Sequence, residues 1–172
     1  MLISIIYDNI SRSIGQLAHA VAEGAESVQG AEVNLTTLDK ANIEGLVAAD
    51  AIILGSPNWH GMTAKMKELI DATGQIWEDG KLVGKVGGAF TSGWSRAAGM
   101  EITLLNLVHS MVAHGMIVVG LPWSDRMRTS GSYYGAMTTG EPTSDDLEQA
   151  KALGKRVAEV ARRINLKELG SF

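Results

Sequence analysis

The chain has 172 residues, 45% of them hydrophobic, and a formal net charge of −4, which allows one domain with a sizeable core and provides no broad basic field for nucleic-acid backbones. No apolar stretch approaches the roughly 20 residues of a membrane span and no basic, apolar leader opens the chain, so a cytoplasmic location is expected. Cysteine is absent, which excludes disulfides, iron–sulfur clusters, thiolate zinc sites and a thiol nucleophile, and leaves any redox chemistry to a bound organic cofactor.

In chain order, Leu2 to Tyr7 (LISIIY) is the first run of strand length, apolar at consecutive positions as in a strand covered on both faces. It leads into DNISRSIG, Asp8 to Gly15, and then a helix whose Ile14, Leu17, Ala18, Val21, Ala25 and Val28 share one face. Asn9, Ser11 and Ser13 bring amide and hydroxyl groups to the helix start, where free backbone N–H groups suit a phosphate. An ordinary polar N-cap explains the loop equally well, and Arg12 fits either a phosphate donor or a solvated charge.

A second strand is expected over Ala31 to Leu35, a helix over Ile43 to Ala49 and a third strand over Ala51 to Gly55. The third strand ends in GSPNWHGM. Pro57 stiffens the exit, Asn58 supplies an amide, and Trp59 and His60 place flat rings just before a helix predicted over Thr63 to Thr73. Such a loop suits a planar heterocycle; a Trp closing the sheet edge and a His capping the turn are the alternative. The fourth strand, Lys85 to Phe90, runs into Thr91, Ser92, Gly93, Trp94, Ser95, Arg96 and Ala97, whose backbone N–H groups suit the carbonyls of a flavin-like ring.

A helix over about Gly99 to Val112 and a fifth strand over Met116 to Gly120 follow. The last helix starts at a Thr143 or Ser144 cap and carries Leu147, Ala150, Leu153, Val157, Val160, Ala161 and Ile164 as its stripe. Five strands alternating with helices predict a single α/β domain, residues 1–172, with a doubly wound parallel sheet and helices on both faces. Ligands then bind beyond the carboxyl ends of the strands. All four tryptophans, Trp59, Trp77, Trp94 and Trp123, fall in predicted loops or helix ends, which favours a ring-binding pocket there. His19, His109 and His114 lack metal-ligand spacing, and no catalytic triad is present.

The whole chain resembles the WrbA-type family of flavodoxin-like NAD(P)H:quinone oxidoreductases. The resemblance is carried by AVAEGA (Ala20 to Ala25), GSPNWHGMTAKMKELIDATGQIW (Gly55 to Trp77), GKVGGAFTSG (Gly84 to Gly93), HGMIVV (His114 to Val119), YGAMTTG (Tyr134 to Gly140) and PTSDDLEQAKALGKRVAEVA (Pro142 to Ala161). It implies FMN as cofactor, NADH or NADPH as donor, a quinone as acceptor, and a homodimer or higher homo-oligomer. Carried over by motif, the phosphate loop is Asn9, Ile10, Ser11, Arg12, Ser13 and Ile14. The ring contacts are Asn58, Trp59 and His60, with Ser92 to Ala97 as the second ring loop; Pro57 and Thr91, from the reading of the loops themselves, complete the candidate cofactor residues. Trp77, with Tyr133 and Tyr134, would meet the substrate, and no side-chain acid or base is implied.

Three departures stand out. Arg12 occupies a place where the family carries glycine, which predicts a reshaped loop or weaker FMN binding if the position needs a positive φ. The segment Thr36 to Asp50 lacks an insertion that longer members use in assembly, which weighs against a family-like tetramer. A family histidine near the flavin falls on Ala113, not on His114. A flavodoxin-type one-electron carrier, or a member that has lost FMN and acts as a binding module, are the alternatives. Arg96, Arg126 and Arg128 fit either contacts to a 2′-phosphate or, as is commoner for such residues, solvated charges, and NADH and NADPH are both open.

Overall fold

The computed structural model describes residues 1–168, the side chains of the last three excepted; residues 169–172 of the expected domain lie outside the described residues. Strand β1 (Leu2–Tyr7) sits between β2 (Glu32–Thr37) and β3 (Ala51–Pro57), and β4 (Val86–Gly93) follows β3, all parallel. Both central strands are buried along nearly their whole length, which is why their sequences are apolar at consecutive positions. At the edge, β2 exposes Glu32 and Asn34.

Helices α1 (Arg12–Glu26) and α6 (Ser144–Glu168) cover one face of the sheet, burying Ile3, Ile5, Ile53 and Phe90 against Leu17, Val21, Leu153 and Val157. On the other face lie α2 (Ile43–Ala48), α3 (Ala64–Asp71), α4 (Gly74–Glu78) and α5 (Met100–Ala113), closing over Ile6, Ile52, Leu54 and Ala89. The helix expected over Thr63 to Thr73 is therefore α3 alone. After it the chain turns at Ala72 and Thr73 into the separate α4, which carries Trp77.

Among the described residues the sheet has six strands, one more than expected. The fifth strand is confined to β5 (Ile117–Val118), paired with the start of β4 at Val86 and Gly87. The chain then leaves the sheet, passes through a 3-10 turn at Asp125–Arg128, and returns as β6 (Ala136–Thr139) beside Phe90 to Gly93. One edge position is thus shared by two short strands with an excursion between them. The return is tight: a Cβ at Gly135 would lie 2.0 Å from the Ala89 carbonyl oxygen, so only glycine lets the backbone approach β4 there. Among the described residues, no helix is long and apolar enough to cross a membrane.

Candidate functional site

Beyond the carboxyl ends of β1, β3, β4 and β6 lies an open cleft of about 340 Å³, within the range of small-molecule sites. At one end are Ile10, Ser11 and Ser13 from the first loop, with Gly140 and Glu141 after β6. Ser11 is the N-cap of α1, its Oγ accepting from the Ile14 N–H at 3.5 Å, and Ser13 donates its hydroxyl proton to the Gly140 carbonyl at 2.6 Å. The first-turn N–H groups of α1 have no intrahelical carbonyl to meet, so this end of the cleft is chemically suited to an oxyanion.

Arg12 takes the first helical position, and His60 is the sole non-glycine residue of positive φ among the described residues. The feared strain at Arg12 is therefore absent: the loop is built around arginine in an ordinary helical conformation. Its guanidinium points outward, 3.9 Å from Glu141, which also accepts from Gln16 at 2.9 Å. Glu141 stands at the rim of an anion-suited site with its charge shared between these two partners. Ile14 is fully buried and anchors the helix beneath the loop.

The other end is framed by Pro57, Asn58, Trp59, Ser92, Gly93 and Trp94. Asn58 clamps the two ring loops together. Its backbone N–H donates to Ser92 O at 2.8 Å, its Nδ2 to Ala98 O at 2.8 Å, and its Oδ1 accepts from Thr103 Oγ1 at 2.8 Å and from the Gly61 N–H at 3.3 Å. Below it, buried Thr91 donates to Ser56 O at 2.7 Å. Trp59 and Trp94, by contrast, are 64% and 92% exposed. Two exposed indoles lining the cleft are apolar surface chemically suited to a flat ligand. A phosphate at the α1 start and a ring between the indoles match the two ends of FMN, so the residues fit that group.

Residues 1–125 match the family described as NADPH-dependent FMN reductase. A protein of Archaeoglobus fulgidus named NAD(P)H dehydrogenase (quinone) is 42% identical, the alignment covering 94% of this chain and 98% of the relative. The chain belongs to the flavodoxin-like NAD(P)H:quinone oxidoreductase family. A second relative of the same name, from Solidesulfovibrio magneticus, is 35% identical over 95% of this chain and 99% of its own. Among solved structures, a WrbA-like flavodoxin protein from Agrobacterium tumefaciens is 32% identical with a TM-score of 0.76, over 94% of this chain and 98% of that one.

Against that family's pattern, the structure brings Ile10, Ser11, Ser13, Pro57, Asn58, Trp59, Ser92, Gly93 and Trp94 onto one cleft. Asn9, Arg12, Ile14, His60, Thr91, Ser95, Arg96 and Ala97 belong to the same loops without lining it. The three residues expected at the substrate lie elsewhere. Trp77 sits on α4 and donates its Nε1 proton to Ala113 O at 2.8 Å, at the end of α5 that feeds β5 and so at the amino ends of the strands. Tyr133 and Tyr134 form the exposed turn that leads back into β6. Trp123 lies on the excursion beside Arg128. The tryptophans thus divide between the two ends of the sheet and do not cluster at one. Gly140 and Glu141 were not expected, because the short β6 that delivers them went unrecognised; the β-branched pair Thr138–Thr139 before Gly140 was its signal.

Proposed function

We propose that this chain is an FMN-dependent oxidoreductase transferring two electrons from NADH or NADPH to a quinone, the donor leaving before the acceptor enters. The observation carrying this reading is the cleft with an anion-suited helix start at one end and two exposed indoles at the other. When bound, FMN supplies the hydride chemistry. The first-turn N–H groups of α1 with Ser11 and Ser13 would hold its phosphate, the loops clamped by Asn58 would fix its ring, and Trp59 and Trp94 would cover the ring and exclude water. No side-chain acid or base is assigned, and no group of metal-ligating side chains occurs among the described residues.

The test is titration of the apoprotein with FMN, followed by oxidation of NADH and NADPH with a benzoquinone as acceptor. Stoichiometric flavin, quinone-dependent oxidation and parallel double-reciprocal lines are expected. Failure to bind flavin under saturating FMN would favour the FMN-free binding module, and flavin binding without NAD(P)H oxidation would favour the one-electron carrier.

We further propose that the whole chain, residues 1–172, works as one domain of a cytoplasmic homo-oligomer. Trp77, Val83, Val112 and Ile117 are all exposed around the junction of α4, α5 and β5, an apolar surface that a second copy can cover. Trp77 can meet a flavin only across such an interface, since its own cleft lies at the opposite ends of the strands. Sedimentation at several protein concentrations tests this.

A further inference from the structure

Next to the flavin cleft is a second pocket of about 230 Å³, walled by Arg96 on the loop after β4, Arg128 and Thr129 on the excursion, Thr139 at the end of β6, and Thr143 before α6. The two cavities share their partition. Arg96 is two residues beyond Trp94 of the cleft rim, and Thr139 directly precedes Gly140 of the cleft wall. A ligand with one end in the cleft therefore has beside it a recess bordered by two arginines, with Met100, Met127 and Met137 also in its lining.

The recess has a fixed floor. Asp146 is buried at its base and accepts from Ser130 Oγ at 2.6 Å, Thr138 Oγ1 at 3.0 Å, Thr143 Oγ1 at 2.9 Å and the Thr143 N–H at 2.9 Å. These bonds tie the excursion, β6 and the start of α6 to one carboxylate, and they spread its charge over four donors. Gln149 adds a bond from its Nε2 to Ser130 O at 3.3 Å. Asp145 is occupied as well, pairing with Arg126 at 3.3 Å and accepting from Thr129 Oγ1 at 3.3 Å.

Of the three arginines that the sequence offers for a phosphate, Arg126 is thus committed to Asp145, and the other two are presented. Arg96 forms no ion pair among the described residues. The Arg128 guanidinium lies over the Trp123 ring, 6.0 Å from its centroid, and touches only the highly exposed Asp125 at 3.7 Å. At that distance the indole gives a weak cation–π contact and the guanidinium stays largely exposed, so an oxyanion competes for it only with a solvated carboxylate. Two exposed guanidinium forks on the wall of one pocket suit a phosphate monoester, which takes bidentate bonds on several edges, while the Thr129 and Thr143 hydroxyls are already donated to Asp145 and Asp146.

We propose that this pocket is the phosphate subsite of the nicotinamide donor, in which Arg96 and Arg128 bind the 2′-phosphate and so favour NADPH over NADH. The inference rests on the oxidoreductase reading, since it needs a dinucleotide whose other end reaches the flavin cleft. Its chemistry also stands apart from turnover, because the recess should bind an adenosine phosphate alone.

The experiment uses the FMN-loaded protein, with 2′,5′-ADP as a calorimetric probe beside steady-state kinetics with both donors. Expected are a lower KM for NADPH than for NADH and measurable binding of 2′,5′-ADP, with 5′-ADP weaker. Arg128→Gln and Arg96→Gln should each weaken 2′,5′-ADP binding and raise the NADPH KM about tenfold, the NADH KM changing much less, so that the ratio of the two KM values collapses. Equal KM values for both donors in the unaltered protein, or an unchanged ratio in both variants, overturns the proposal. If neither donor is oxidised while 2′,5′-ADP still binds in an arginine-dependent way, the oxidoreductase reading fails and the phosphate subsite stands. Tighter binding of 5′-ADP than of 2′,5′-ADP would assign the recess to the diphosphate and sink the claimed donor selectivity.

Discussion

Thr103, fully buried on α5, donates its hydroxyl proton to the Oδ1 of Asn58 at 2.8 Å, joining the helix after β4 to the loop after β3. The same Asn58 amide holds Ala98 and Gly61. Replacing Asn58 with alanine strands a buried hydroxyl and frees both ring loops, an effect of about 1–3 kcal/mol on the apoprotein. FMN affinity should fall at least tenfold. Thr103→Val removes one bond and its donor together, so its cost should be near 1 kcal/mol. Urea unfolding of the apoproteins with FMN titration checks both. An Asn58→Ala protein as stable as the parent and binding FMN normally would show that the clamp has no role.

Trp59→Ala and Trp94→Ala should behave in the opposite way. Both side chains are exposed, so stability without flavin should change by no more than about 0.5 kcal/mol. Loss of aromatic stacking on a flat ring should lower FMN affinity by about 1–3 kcal/mol, roughly tenfold or more. Apoprotein unfolding midpoints that drop by several degrees would instead make these indoles structural.

Most of the fold could be read because burial leaves a direct trace in the sequence. β1 and β3 are apolar at consecutive positions because both faces are covered, and α1 and α6 repeat at three and four because one face is. β6 escaped notice for a matching reason. Its four residues alternate buried and half-buried and contain only one large apolar side chain, so its sole trace in the sequence is the β-branched pair Thr138–Thr139, too short to separate a strand from a loop. Trp77 misled because a tryptophan outside a strand was equated with the ligand end, whereas the sheet has two ends and the α3–α4 break carries this one to the other. Arg12 raised an expectation of strain that depended on a φ no sequence states, and the residue instead begins a helix.

The packing of α1 on α6 depends on two glycines. A Cβ at Gly24 would lie 2.0 Å from Lys151 O, and one at Gly154 would lie 1.9 Å from Val21 O. In each case the obstacle is helix backbone, which cannot swing aside. Gly24→Ala and Gly154→Ala should each destabilise by about 1–3 kcal/mol or more despite a gain in helix propensity. Thermal unfolding of either variant at or above the parental midpoint would mean the helices separate freely.

Trp77→Ala should leave the FMN affinity of the chain essentially unchanged, since the indole lies at the amino ends of the strands and bonds Ala113. Self-association should weaken, because the side chain is about half exposed on the apolar surface with Val112 and Ile117. Sedimentation and flavin titration of the same sample separate the two effects. A large loss of flavin in a protein whose assembly is unaltered would show that the indole contacts a bound flavin directly, its own or a second copy's.

His114 provides a pH dependence whose sign follows from its hydrogen bonds. Thr73 donates its hydroxyl proton to Ile70 O, so at the 2.9 Å contact with His114 Nε2 the imidazole is the donor. Nδ1 then carries a lone pair, and it is buried without a partner. Charging the ring would put an unpaired N–H⁺ there, and burial lowers the His114 pKa below its ordinary 6.5. The unfolded chain therefore binds a proton that the native chain refuses once pH drops through about 6.5, and native stability should decline from there until the lowered native pKa is reached. Urea unfolding at pH 7.5 and pH 5.5 should give a smaller loss for His114→Gln, which keeps a donor toward Thr73 and removes the titration. Equal losses in parent and variant would assign the acid sensitivity to the carboxylates.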